Sequence, residues 1–329
     1  MRANIRICDE TISIYYFELN NLFPTRLKHQ KNIICSPNTK RIHPYGRIWN
    51  ALYKKFNNNN TQALQYFADK VQEFKDNVND DQSMKNLEFL EKCLYYDYYC
   101  GEQYKIYNVY QAKHNKEFDE EIPSLKKKYI GMSISRINQE VYYSHHGLRF
   151  SSDKIKGYLK DKDLFDVGSY NGDSCLVLHQ YTNKKVHSYD NSIKMINQYR
   201  TNVERNHIPK EKYENNYIQL GSVIEKNENG LSKSTIDEEV KSKGLVAGLI
   251  KADVEGGGFQ VIKGSVNTLK EQHPVIIIAI YHCVDEMFGI FDLLKNEIGG
   301  YMFEFHCENS LLANLCEFCI FAYPKSLMN

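Results

Sequence analysis

The chain has 329 residues, of which 42% are hydrophobic and 25% charged, and its formal net charge at pH 7 is +1. This length allows one large domain or two ordinary ones, with ample material for a buried core. The near-neutral charge argues against nucleic acid as the main partner, because counterion release requires a concentrated basic surface. The longest fully apolar run, Val275 to Tyr281, is too short to cross a bilayer, so no membrane insertion is expected.

The cysteines and the first residues favour a cytoplasmic protein. Met1 to Arg6 lead into Cys8 and acidic residues instead of a long apolar stretch, so we expect no secretory signal. Nine cysteines are too few for a disulfide scaffold. Cys316 and Cys319 form a Cys-x-x-Cys pair, but no second pair of that spacing lies nearby, as a zinc site would require. We expect reduced, mostly buried thiols.

A change in composition near residue 135 predicts a helical N-terminal region over residues 1–135 and a second domain over residues 136–329. One helix is predicted after an N-cap at Thr61, with its buried face formed by Leu64, Phe67, Ala68, Val71 and Phe74. A second is predicted from an N-cap at Ser83. A tyrosine-dense stretch, Tyr95 to Tyr110, could continue as a helix whose rings either stack on sugars or bases or simply pack. We expect the region to serve acceptor recognition or homo-oligomerisation.

The pattern changes after Arg136. Two short strands, Glu140–Tyr143 and Leu148–Phe150, are predicted around a turn. Further strands are predicted at Leu164–Val167, Val186–Tyr189, Tyr217–Leu220, Gly248–Ala252, Val275–Ile280, Tyr301–His306 and Phe318–Ala322. Helices are predicted at Ser174–Gln180, Ile193–Asn206, Gly258–Gln272 and Glu286–Glu297. This alternation predicts an α/β fold with a mostly parallel sheet covered by helices on both faces.

The segment from Asp166 to Ser174 joins the first of these later strands to a helix. Gly168 and Gly172 allow a tight turn and close approach of a ligand, but their spacing is not the dinucleotide fingerprint. Carboxylates in this turn suit a ligand with ammonium and sulfonium centres, as in S-adenosylmethionine. Asp190 ends the next strand and can accept hydrogen bonds from ribose hydroxyls. The candidate cofactor-binding residues are Asp166, Gly168, Ser169, Tyr170, Asn171, Gly172, Asp173, Ser174, Asp190, Ser222 and Asp253.

From about Glu140 to Pro324 the chain resembles the FkbM-type S-adenosylmethionine-dependent methyltransferases. The strongest stretch is Leu249-Ile250-Lys251-Ala252-Asp253-Val254-Glu255-Gly256, followed by Val261-Ile262-Lys263-Gly264-Ser265. Ser234-Thr235-Ile236-Asp237 is similar to the family's Thr-Leu-Asp element, and the segments around His282 and His306 are similar to those of a subgroup. The resemblance implies a Rossmann-like class I methyltransferase sheet with an antiparallel last strand. It also implies methyl transfer to a hydroxyl, frequently on a sugar of a glycoconjugate.

Two departures from the family pattern stand out. Tyr189-Asp190-Asn191 replaces the usual Phe-Glu-Pro at the end of the second strand, which removes a proline from the loop. Gly256-Gly257-Gly258 replaces a segment that normally carries side chains. Because glycines cost helix propensity, they indicate that something approaches the backbone closely there.

Three residues are predicted to be catalytic. Asp253 and Glu255 are two positions apart, so on an extended strand end they share a face. His282 follows the adjacent strand, and histidine has the most suitable unperturbed pKa for a base. We expect His282 to act as general base, with Asp253 or Glu255 orienting it or the acceptor. Alternatively, the carboxylates only satisfy backbone donors.

Several alternatives remain open. The carboxylates of Asp253 and Glu255 could hold a divalent cation, although one short spacing is weak support for it. In a glycosyltransferase the same pair would act as an acidic metal motif, and a non-catalytic binding module would keep only the fold. His145 and His146 could line the acceptor pocket or form a surface turn. His306 is a further candidate for substrate contact.

Overall fold

The computed structural model describes residues 44–100, 112–130, 138–228, 230–307 and 318–328. The described part of residues 1–135 forms helices α1 (Pro44–Lys55), α2 (Asn60–Lys75), α3 (Asp81–Cys100) and α4 (Ala112–Lys128). The side chain of Asn59 caps α2 in place of the predicted Thr61. Ser83 lies in the first turn of α3, where its hydroxyl accepts the Phe305 N–H at 2.8 Å. The predicted tyrosine stripe lies outside the described side chains.

The two strands predicted between Glu140 and Phe150 are wrong. Gln139–Tyr142 form a short helix, α5, and consecutive turns follow as far as Phe150. The side chain of Asn138 caps the helix at the N–H of Val141. Three neighbouring residues, Val141, Tyr142 and Tyr143, are all buried, which an alternating strand does not allow. The next helix, α6 (Asp153–Leu159), is capped by Ser152.

Seven of the strands in the described ranges form the main sheet: β1 (Asp163–Val167), β2 (Val186–Asp190), β3 (Tyr213–Tyr217), β7 (Ala247–Ala252), β8 (Val275–Ala279), β9 (Tyr301–Cys307) and β10 (Phe318–Pro324). Their order is β3-β2-β1-β7-β8-β10-β9, and β10 runs antiparallel to both of its neighbours. The other pairings are parallel. The predicted fold, mostly parallel with an antiparallel last strand, is therefore confirmed.

The third strand of the sheet differs from its prediction. It comprises Tyr213–Tyr217, an only partly buried edge strand whose polar residues gave no apolar signal. The predicted run ending at Leu220 instead enters a second sheet. That sheet consists of β4 (Gln219–Leu220), β5 (Glu225–Asn227) and β6 (Gly230–Ser234) in the order β4-β6-β5.

The remaining helices are α7 (Asp173–Leu178), α8 (Ile193–Arg205), α9 (Ile236–Lys243), α10 (Gly258–Lys263) and α11 (Val266–Gln272). The predicted single helix from Gly258 to Gln272 is thus two helices, broken where Gly264 passes so close to Gly221 that a Cβ would lie 1.9 Å from the Gly221 carbonyl oxygen. A helical segment, α12 (Asp285–Gly289, Ile290–Asp292 and Leu293–Ile298), has π-helical bonding at both ends.

The described helices of the N-terminal region share a hydrophobic core with the sheet. Phe74 of α2 lies 4.8 Å, between ring centroids, from both Phe291 of α12 and Phe305 of β9. The predicted buried face of α2 therefore packs within the same chain. A second buried cluster, including Leu148, Leu176 and Val203, belongs to helices and turns on the other side of the sheet. No helix among the described residues is long and apolar enough to cross a membrane.

Candidate active site

A cleft of about 500 Å³ opens beyond the carboxyl ends of β1, β2 and β7. Parallel α/β sheets bind ligands at this edge. Five carboxylic acids line the cleft: Glu140, Asp173, Asp190, Asp253 and Glu255. Ile218, Leu220 and Val254 provide an apolar part of the wall.

Gly168 shapes the floor of the cleft. Its φ is +75°, and a Cβ there would lie 1.9 Å from the carbonyl oxygen of Asp253. The turn after β1 and the end of β7 thus touch backbone to backbone, which only glycine allows. Gly172, with φ of +87°, lies so close to Tyr199 that a Cβ would be 2.9 Å from its ring.

Asp190 ties the glycine turn to the start of α8. One of its carboxylate oxygens accepts the backbone N–H of Tyr170 at 3.0 Å, and the other accepts the N–H of Ser192 at 2.8 Å. Each oxygen keeps a further lone pair. The side chain lines the cleft, as its predicted role requires.

Lys251 is a buried cation that the predicted site lacked. Its ammonium lies 3.1 Å from Asp166 and donates to the Gly168 carbonyl at 3.3 Å. Burial alone would lower the pKa of Lys251, but the negative charges of Asp166, Asp253 and Asp173 raise it above its usual value. Asp166 pairs with this lysine beneath the turn and does not line the cleft. A lysine inside the otherwise apolar strand β7 was the signal that an acidic partner lies nearby.

Glu140, His146 and Ser174 form a hydrogen-bonded row along one wall of the cleft. His146 Nδ1 lies 2.6 Å from Glu140 Oε1, and His146 Nε2 lies 3.0 Å from Ser174 Oγ. His146 has a positive φ of 56°, a conformation that costs energy for a side chain with a Cβ. Beside it, burial raises the pKa of Asp173, whose carboxylate accepts the N–H of Ser174 at 2.8 Å.

Asp253 and Glu255 line the opposite wall, on the turn after β7. Glu255 has a φ of +52°, and the adjacent Gly256 a φ of +104°, so this turn is strained at a residue with a side chain. The Glu255 side chain is 89% exposed, whereas that of Asp253 is 32% exposed. The two carboxylates therefore share the predicted edge but differ strongly in contact with water.

His282 lies behind this wall, between three carboxylates. Its Nε2 is 3.4 Å from Asp253 Oδ1 and 3.7 Å from Glu255 Oε2, while its Nδ1 is 2.9 Å from Glu286 Oε2. Within the part of the chain that the structure describes, Nε2 and Asp253 Oδ1 are buried atoms with no hydrogen-bond partner. Burial would lower the pKa of His282, but the hydrogen bond to Glu286 and the nearby acids raise it above 6.5. Tyr281 lines the cleft beside it.

Other predicted site residues do not line the cleft. Ser169 is buried, Asn171 faces a separate groove along α8, and the exposed Ser222 donates to Gln260 at 2.7 Å. His145 bonds Tyr181 at 2.8 Å. His306 lies in another pocket, stacked on Phe321. The sequence prediction placed these residues by their position in the chain, which does not determine where their side chains lie in the fold.

Metal and thiol chemistry has no further support among the described residues. No group of three or more histidine, cysteine or acidic side chains in the described ranges is arranged to hold a metal ion. Cys319 is a free thiol, and Cys316 lies outside the described residues.

The strand order and the antiparallel last strand define the class I methyltransferase fold. The FkbM methyltransferase from Methylobacillus flagellatus KT has a similar structure, with a TM-score of 0.54 and 15% identity over 78% of this chain. The match covers 58% of that protein, so this chain spans less than two thirds of it. The resemblance drawn from the sequence is confirmed at the level of the fold.

Two further solved structures match more weakly. The O-methyltransferase from Bacillus cereus, in complex with SAH, gives a TM-score of 0.39 at 13% identity, covering 64% of this chain and 91% of that one. An rRNA methylase from Streptococcus thermophilus gives a TM-score of 0.37 at 11% identity, and the match covers 58% of this chain and 99% of that one. No family model and no curated protein sequence matches the chain.

Proposed function

We propose that the protein is an S-adenosylmethionine-dependent O-methyltransferase whose acceptor is a sugar hydroxyl of a glycoconjugate or polysaccharide precursor. The observation that carries the proposal is the pair His282 Nε2 and Asp253 Oδ1, two buried atoms that face each other at 3.4 Å without a hydrogen-bond partner among the described residues. Neutral histidine and ionised aspartate are both acceptors at these atoms, so a hydroxyl that donates there satisfies a buried group.

The cleft fits the proposed cofactor in charge and shape. Its acidic lining favours a ligand with ammonium and sulfonium centres, and Asp190 keeps lone pairs for ribose hydroxyls. The apolar surface of Ile218 and Leu220 suits a planar base. Gly168 leaves the backbone bare where a side chain would collide with Asp253. A diphosphate would meet five carboxylates instead of cations, because the buried ammonium of Lys251 is already paired with Asp166.

The chain's own residues then handle the proton. When bound, S-adenosylmethionine supplies a methyl group on a positively charged sulfur that leaves as a neutral thioether. His282 Nε2 accepts the proton of the acceptor hydroxyl while the hydroxyl oxygen forms its bond to the methyl carbon. The resulting imidazolium lies between Asp253 and Glu286, which stabilise its charge. The turn with Glu255 borders the acceptor side of the cleft.

The glycosyltransferase alternative explains the carboxylates of Asp253 and Glu255 but not the acidic lining around the glycine turn. A binding module that retains only the fold requires neither the strained turn at Glu255 nor the buried histidine. Incubation with S-adenosylmethionine and a panel of neutral saccharides, with and without a chelator, separates these functions. We expect acceptor-dependent S-adenosylhomocysteine and a product heavier by one methylene, both lost in His282→Ala. Hydrolysis of sugar nucleotides in its place would support the glycosyltransferase.

A further inference from the structure

Gly258 and Glu286 are in contact next to His282. Glu286 is fully buried on α12. Its Oε1 accepts the backbone N–H of Gly258 at 2.8 Å, and its Oε2 lies 2.9 Å from His282 Nδ1. A Cβ on Gly258 would lie 2.9 Å from Glu286 Oε1. The close approach that the three successive glycines predicted is therefore confirmed at Gly258, and the approaching group is a carboxylate.

The two bonds of Glu286 have different consequences. The Gly258 N–H can only donate, so it holds one carboxylate oxygen in place. The second oxygen then faces His282 Nδ1 as an acceptor, which requires the Nδ1 proton to be present. In neutral His282 the remaining nitrogen, Nε2, is consequently the unprotonated one. That nitrogen is the one directed toward Asp253 in the cleft wall.

We propose that Glu286 is a positioning residue that selects the Nδ1–H tautomer of His282, so that Nε2, which faces Asp253 of the cleft wall, is the basic nitrogen. The inference rests on the proposed function for its role in turnover, but the tautomer itself is a property of the free protein. Gly258 contributes by fixing Glu286 through its N–H and by lacking a side chain. The three groups form a chain from the first turn of α10 to His282, whose Nε2 faces Asp253 of the cleft wall.

Acidic and aromatic side chains surround the imidazole ring of His282. Asp253 and Glu255 approach Nε2 from the turn after β7, and Glu286 approaches Nδ1 from α12. Tyr281 packs against the ring with centroids 4.0 Å apart and the two planes tilted by 35°. Among the described residues, only Glu286 is within hydrogen-bonding geometry of either ring nitrogen. The position of the proton in neutral His282 is therefore set by Glu286.

The substitution Glu286→Gln tests the proposal because an amide has a single oxygen. Gly258 N–H must keep that oxygen, so the amide NH₂ faces Nδ1 and forces the proton onto Nε2. Nitrogen-15 NMR of histidine-labelled protein reads the tautomer directly, with His282→Gln identifying the resonances. At a pH where His282 is neutral, we expect Nε2 to change from the unprotonated to the protonated type. The matched control is Asp285→Asn, which removes a charge from an exposed neighbour. It leaves the bonds of Glu286 to Gly258 and to His282 in place.

Turnover separates the positioning role from the proposed function. If both hold, Glu286→Gln switches the tautomer and lowers turnover about 10²- to 10⁴-fold, with cofactor affinity unchanged. A switched tautomer with full turnover would leave the positioning intact and remove His282 as the base. An Nε2 that stays unprotonated in Glu286→Gln, in a variant with wild-type circular dichroism, would overturn the positioning role.

Discussion

His282 Nε2 and Asp253 Oδ1 lie 3.4 Å apart on neighbouring strand ends, and neither atom has a hydrogen-bond partner among the described residues. Replacing His282 with Ala should lower turnover by about 10²- to 10⁴-fold, because a positioned base contributes that much. Cofactor affinity, measured by calorimetry, should change less than about threefold, since Asp190 and the glycine turn remain. Exposed His207 provides a control of the same residue type, and His207→Ala should retain turnover. Equal losses in the two variants would remove His282 from the mechanism.

The pH dependence follows from the raised pKa of His282. The base must be neutral, so turnover should fall as pH drops through a pKa above 6.5. Stability has the opposite sign, because the folded protein binds this proton more tightly than the unfolded chain. The stabilising contribution is full below about pH 6.5 and disappears as pH rises through the native pKa. The pH dependence of turnover is measured by rate profiles, and that of stability by urea unfolding at each pH. If turnover of His282→Gln still fell at low pH as in the wild type, His282 would not be the base.

Adjacent histidines at positions 145 and 146 provide a matched pair. His146→Gln disturbs the row from Glu140 to Ser174 in the cleft wall, so we expect about a tenfold loss of cofactor affinity or of turnover. His145→Gln alters a contact with Tyr181 away from the cleft and should leave both unchanged. Steady-state kinetics measures the turnover of the two variants, and calorimetry measures their cofactor affinity. A larger effect at position 145 would place the acceptor on the other side of this turn.

Gly168→Ala should destabilise the fold as well as the site. The new Cβ meets the Asp253 carbonyl oxygen and φ is positive, so we expect a loss of about 3 kcal/mol or more in the free energy of unfolding. Gly244→Ala is the control, since φ there is +62° but no atom lies within 4 Å of the added Cβ. That variant should lose only about 1 kcal/mol. Similar losses in urea unfolding would show that the turn after β1 relaxes.

Phe74→Ala tests whether the helical region and the sheet unfold together. The ring is buried against Phe291 and Phe305, so its removal should cost about 3–5 kcal/mol. Because the core is shared, unfolding should remain a single transition at a lower midpoint. Separate transitions for helix content and for the fluorescence of a sheet probe would support the predicted division between residues 1–135 and 136–329.

Much of this architecture could be predicted from the sequence because its signals are local. The buried strands β1, β7 and β8 are apolar runs, and the glycine turn follows the first of them directly. The edge strand Tyr213–Tyr217 is polar and partly exposed, so hydrophobic periodicity could not find it. The segment around His145 was predicted as two short strands around a turn, yet it forms a short helix and consecutive turns with successive residues buried.

The site was predicted less completely because its contacts cross long stretches of chain. Asp190, Asp253 and His282 lie at or just after the ends of predicted strands, so their positions in the sequence were enough to place them at the edge of the sheet. Lys251 and Glu286 act through partners that only the fold brings near. Glu286 lies four residues after His282, and this short spacing was an available signal that the two side chains could meet, although His282 precedes α12. Ser222 is hydrogen-bonded to Gln260, and His306 lies on β9 at the far edge of the sheet, so neither lines the cleft. The order of the strands in the sheet, which separates His306 from the cleft, cannot be predicted from residue spacing.

Calorimetric titration of the intact chain with S-adenosylmethionine tests the central claim most directly. We expect saturable one-site binding, weakened about 10- to 100-fold in Asp190→Ala and unaffected by Ser222→Ala, because Asp190 lines the cleft and Ser222 bonds only Gln260 in the described structure. Sugar nucleotides should give no heat. Binding of a sugar nucleotide with none of S-adenosylmethionine, or an Asp190→Ala variant that binds the cofactor as well as the wild type, would contradict the account.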